Sequence, residues 1–137
     1  VIIMIRRLLF VGIIVLLVIA AFRCLAAPEE KSNVAMLLNE EMYSIPGKEV
    51  AIQRAEYPPG WVGERHYHTG DIFVYVLEGQ FVIDVDGQDR ITIDPGEVYH
   101  EAVNKVMQAR NPSATRPTKL ILFQVGDKGK PRVILSN

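Results

Sequence analysis

Residues 60–79 read GWVGERHYHTGDIFVYVLEG. The stretch holds two of the three histidines, the only Trp and the most strand-like run in the chain. His66 and His68 are two residues apart. On a β-strand that spacing sets both imidazoles on one face. Two imidazoles side by side are half of a ligand set for a borderline metal such as Fe, Ni, Zn or Cu. Just beyond them, Ile72, Val74 and Val76 alternate with Phe73, Tyr75 and Leu77. Apolar residues at both parities predict a strand buried on both sides, as in a two-sheet sandwich.

Upstream, the period is also two. Val50, Ile52 and Arg54 share one face, and Ala51, Gln53 and Ala55 share the other. Tyr57-Pro58-Pro59-Gly60 ends that strand, because proline removes a ladder donor. Downstream, Glu78-Gly79, Asp86-Gly87 and Asp94-Pro95-Gly96 are turn signals, Asp-Gly being among the strongest for a hairpin. Short apolar runs follow each turn and continue through Leu120 to Val125 and Val133 to Leu135. About nine short strands with no helix between them predict a sandwich or barrel.

The spacing from Gly60 through His66 and His68 to Gly79 resembles the first motif of the cupin family. That motif carries a Glu at the position of Ile72, and Asp71 stands one residue earlier. The second motif is framed by Gly96 and Asn111. Inside the frame, Ala102 replaces the usual Pro, Asn104 the usual Gly and Met107 the usual third His. The resemblance runs from Val50 to Val125. It implies an all-β double-stranded β-helix, a jelly-roll barrel, over residues 50–137. Residues 27–49 are expected to be a linker with a short helix. Its apolar positions are 34, 35, 37, 38 and 42, and Asn33 is a suitable cap.

At the start of the chain, Arg6 and Arg7 precede an apolar run from Leu8 to Phe22, and Ala26 and Ala27 follow. Residues 1–26 therefore read as a signal peptide or membrane anchor. The run is shorter than the ~20 residues that span hydrocarbon, which favours cleavage. A lipid on Cys24 is opposed by the bulky Arg23 before it. Each reading predicts a periplasmic or secreted domain. Cys24 is the only cysteine, so no disulfide staples the fold. Removing residues 1–26 takes three of the 15 basic residues and none of the 16 acidic ones, leaving a formal −4. That balance argues against nucleic acid as a partner.

The family resemblance implies a site inside the barrel. His66 and His68 are its expected metal ligands, with Asp71 or Met107 as a third. The metal would be a divalent transition ion, Fe, Ni, Zn or Cu. Because Ile72 and Met107 replace two family ligands, a partly lost metal site with no cofactor is the competing expectation. Trp61, Tyr67, Arg54, Glu101 and Met107 are the candidate ligand-binding residues. Glu101 is also the candidate catalytic acid or base. The favoured function is a small organic ligand bound in the barrel. The alternative is a metal-dependent oxygenase or isomerase using His66 and His68. A homodimer through an edge strand and the segment before Val50 is a further expectation.

Overall fold

The structure, a computed structural model, describes residues 31–136. Ten strands follow in order: β1 (Asn33–Glu41), β2 (Lys48–Tyr57), β3 (His66–His68), β4 (Asp71–Glu78), β5 (Phe81–Val85), β6 (Ile91–Ile93), β7 (Val98–Glu101), β8 (Met107–Arg110), β9 (Thr118–Asp127) and β10 (Val133–Leu135). They form two five-stranded sheets, β1-β2-β9-β4-β7 and β10-β3-β8-β5-β6. Every pairing between these strands is antiparallel.

The core lies between the sheets. Ala55, Tyr57, Ile72, Val74, Val76 and Leu120 come from the first sheet; Phe81, Ile83, Val85, Ile93, Met107 and Ala109 come from the second. Alternation explains the choice: in β4, Ile72, Val74 and Val76 are at most 1% exposed. Burying side chains of this size stabilises the fold by about 1.5–3 kcal/mol each.

Four expectations are corrected. First, Val34 to Met42 is not a helix. Asn33–Glu41 is an edge strand paired along β2, with a register shift between Met36 and Leu38. The apolar run is dense enough for either period, and the ten-residue β2 offers an open edge to pair with. Second, neither sheet closes on itself, so there is no true barrel. Third, β4 is buried on one face only. Tyr75 and Leu77 are 41% and 43% exposed on the outer side. Fourth, the segment expected to join a second copy is paired with β2 of its own chain, and nothing in the described residues supports that homodimer.

The expected signal peptide or anchor over residues 1–26 lies outside the described residues. Among those described there is no helix, and none is long and apolar enough to cross a membrane. The structure therefore supports neither membrane attachment nor a periplasmic or secreted location.

Turn chemistry keeps the motif frame. Gly60, Gly79 and Gly96 all have positive φ. Asn104, where the family has Gly, has φ 58°. Asn is the substitute that tolerates this left-handed conformation best. At the β5–β6 hairpin, Gly87 has φ 75° and open space around its missing Cβ. Gly87→Val is expected to lower stability by about 1 kcal/mol through backbone strain alone. A urea melt showing no change would refute that turn assignment.

Candidate functional site

β3 is only three residues long, yet it sets the site. His66 lies opposite Met107 on β8 and opposite Leu135 on β10, and His68 lies opposite Val133. Both imidazoles face inward and Tyr67 has the other parity. Each ring is held by a backbone carbonyl. His66 Nδ1 is 2.8 Å from the Glu64 carbonyl, and His68 Nδ1 is 3.1 Å from the Arg132 carbonyl. A carbonyl oxygen only accepts, so both Nδ1 atoms donate. In the neutral rings both Nε2 lone pairs are then bare. They approach each other at 3.2 Å.

Glu101 completes the cluster. Its Oε2 is 2.9 Å from His68 Nε2, and both side chains are less than 10% exposed. With His68 protonated the contact is an ion pair; by hydrogen-bond geometry Glu101 Oε2 has no partner among the described residues. Glu101 arrives from β7, directly opposite Ile72 on β4. Ile72 occupies the family's carboxylate position, and Glu101 brings a carboxylate to the same face from the next strand.

These groups stand in a cleft of about 300 Å³ between the sheets. Tyr57, Trp61, Phe81, Ala109 and Leu122 form its apolar wall. The Trp61 ring stacks on Tyr57 with centroids 3.8 Å apart, and Tyr57 stacks on Phe81 at 5.7 Å. Gly63 makes room for this: a Cβ there would sit 2.7 Å from the Trp61 ring. Gln53 and Gln124 also line the cleft and bond to each other at 3.1 Å. Val34 of β1 and Val133 and Leu135 of β10 are half-exposed residues along it.

The buried carboxylate is felt nearby. Burial, and secondly the Glu101 charge, pushes the Tyr57 phenol up to about 12. Tyr99 is raised by the same two causes in the same order. Both phenols therefore stay neutral and protonated at physiological pH.

The other expected site residues lie elsewhere. Arg54 is exposed on the outer face, because β2 presents Gln53 and Ala55 inward. Asp71 is exposed and pairs outward with His100 at 2.9 Å; its parity, opposite to Ile72, carries it away from the imidazoles. Met107 is fully buried in the core. Sequence reasoning did not single out Tyr57, Phe81, Gln53 or Gln124. Gln124 carried a signal: it is the one amide in the apolar run Leu120 to Val125.

The family's metal site is incomplete here. Ile72 and Met107 are 1% and 0% exposed and supply core volume at two of its ligand positions. Among the described residues no group of three or more His, Cys, Asp or Glu is arranged to hold a metal ion. The expected metal centre on His66 and His68 with Asp71 or Met107 is thus not assembled.

Two open sheets, an inward His-x-His strand and a cleft between the sheets define a cupin-like sandwich. The cupin-domain family profile matches residues 53–124, and the chain belongs to the cupin family. Solved structures agree on the fold. A cupin superfamily protein from Desulfitobacterium hafniense is 19% identical with a TM-score of 0.60, over 75% of this chain and 84% of that one. The DMSP lyase DddQ from Ruegeria pomeroyi is 17% identical with a TM-score of 0.63, over 77% of this chain and 52% of the lyase. KdgF from a Halomonas species is 16% identical with a TM-score of 0.57, over 76% and 86%. No curated protein matches the sequence.

Proposed function

We propose that this cupin binds a small organic ligand in the open cleft between its sheets. The polar end of the ligand meets His66, His68 and Glu101. Its apolar body lies along Tyr57, Trp61 and Phe81. One observation carries the reading: Glu101 is buried in the cleft with a carboxylate oxygen that no described donor satisfies. An unsatisfied buried acceptor costs about 1–3 kcal/mol, and more when charged. A ligand that supplies the donor recovers that energy on binding. The cleft volume sits at the lower end of the range for ligand pockets, which favours a compact molecule.

Trp61 is the only Trp and lines the cleft, so its fluorescence reports occupancy directly. A set of small fragments titrated against the folded domain is expected to include some that shift Trp61 emission. The same fragments should move the His66 and His68 ring signals in NMR. If no fragment perturbs Trp61 and both histidines together, the cleft is not a binding site. Elemental analysis runs beside it: stoichiometric Fe, Ni, Zn or Cu lost on His66→Ala would favour the metal-dependent alternative.

A further inference from the structure

Building on the cleft reading above, we propose that the ligand carries an amide with its N–H and C=O on one edge, a lactam or a primary carboxamide, held by Gln53 and Gln124. Both glutamines line the cleft. Gln53 comes from β2 and Gln124 from β9. Gln53 lies opposite Leu122, which shares a face with Gln124 two residues on. The two side chains are thus diagonal neighbours, within reach of each other. Gln124 lies opposite Ile72, and Ile72 lies opposite Glu101. Gln124 therefore stands two strands, about 10 Å, from the carboxylate. It is a second polar point in the cleft, separate from the imidazoles.

On this face the sheet otherwise buries Ile72, Val74, Val76 and Leu120. An amide among them costs stability unless its groups are bonded. Two carboxamides can close into a ring in which each donates once and accepts once. This pair is open. Gln124 Nε2 donates to Gln53 Oε1 at 3.1 Å. Gln53 Nε2 and Gln124 Oε1 have no hydrogen-bond partner among the described residues. Turning both amides over only exchanges these free groups between the two residues. Either way one NH2 and one C=O are left side by side. Carboxamides do not titrate, so this set is the same at any working pH.

The complement is an acceptor beside a donor on one edge of the ligand. A lactam or a primary carboxamide has that edge. An open-chain secondary amide is trans and points its N–H and C=O to opposite sides. A ketone or ester satisfies the NH2 and leaves the glutamine carbonyl without a donor. A carboxylate brings no hydrogen either. A cleft whose polar groups the wrong ligand leaves unpaired discriminates strongly against it. Leu122, beside Gln53, joins the aromatic wall of Tyr57, Trp61 and Phe81, which suits an amide borne on an apolar ring.

Three probes of one shape test this on the folded protein: 3,4-dihydroquinolin-2-one, its N-methyl derivative and 2-tetralone. The first carries the full edge, the second has a methyl in place of the hydrogen, and the third has a methylene in place of N–H. Calorimetry gives the affinities. The lactam is expected to bind at least about tenfold more tightly than either analogue. The double variant Gln53→Met with Gln124→Met removes both partners at similar shape, so a native-like urea melt is expected. In it the lactam and 2-tetralone should bind within about threefold of each other. A folded variant that keeps the tenfold preference would overturn the assignment to these glutamines. If the wild type binds either analogue as well as the lactam, the amide proposal fails and the cleft reading stands. If none of the three binds and no other fragment does, the cleft reading itself fails. Side-chain amide NMR supplies a check that needs no variant. One of the two NH2 groups is expected to exchange freely with water in the ligand-free protein. A protected hydrogen on each residue would mean that the pair closes on itself, and would overturn the proposal.

Discussion

Asn111→Ala is expected to destabilise the domain by about 2–4 kcal/mol. Asn111 is 2% exposed. Its Nδ2 donates to the Tyr57 carbonyl at 3.2 Å, to Pro58 at 2.9 Å and to Arg116 at 2.8 Å. Its Oδ1 accepts from the Ser113 amide at 3.0 Å. Two amide hydrogens thus serve three carbonyls from two separated chain segments. They fasten the end of β2 to the loop before β9. Truncation takes a donor from all three; the Pro58 carbonyl keeps the Trp61 amide at 3.2 Å, and the cost is greatest at the buried Tyr57 contact, where a lost partner costs more than the bond itself was worth. Asn111→Asp should be worse at neutral pH, because a carboxylate oxygen would then face the carbonyls. A buried carboxyl with one oxygen turned against carbonyls has its pKa raised in the folded state. Its stability deficit is therefore small at acid pH and grows as pH rises through the unfolded pKa. Urea melts at pH 4 and pH 7.5 read both effects; a loss under about 1 kcal/mol for Asn111→Ala would show that the loop is held by other contacts.

The same residue shows why part of this fold was legible in the sequence. Asn111 marks the end of a frame whose turns need particular backbone angles, and those are local requirements. Gly96 and Asn104 meet them with positive φ, so the frame was readable even where Gly had become Asn. The pair His66 and His68 was readable because strand parity is local too. What is set by neighbours in space was not. The run from Val34 to Leu38 fits a helix by its own spacing, and only the free edge of β2 makes it a strand. Phe73, Tyr75 and Leu77 look like core residues, but the first sheet packs on its inner face alone. The one-residue offset that puts Asp71 outside and Glu101 inside follows from the pairing of β4 with β7. Register between strands separated by a long connection is not written in either strand by itself.

Ile72→Glu, which recreates the family's carboxylate, is expected to destabilise the protein by about 4 kcal/mol or more. Ile72 is 1% exposed and belongs to the core. The loss of an apolar side chain there is one part of the cost. The other part is specific to this chain: Glu101 lies directly opposite on β7. Cross-strand partners point to the same face with their Cβ atoms close together, and like charges there repel. Two buried carboxylates would then compete for one space. The double variant Ile72→Glu with Glu101→Leu moves the charge back to β4 and returns an apolar residue to β7. It should recover at least about 2 kcal/mol of the loss, giving a coupling well outside additivity. The single variant should also gain stability at low pH, where one carboxyl can donate to the other. Additive effects in the cycle would mean that positions 72 and 101 serve separate environments. Strong coupling would mean that this cleft has room for one carboxylate, and that Glu101 stands in the place its strand neighbour gave up.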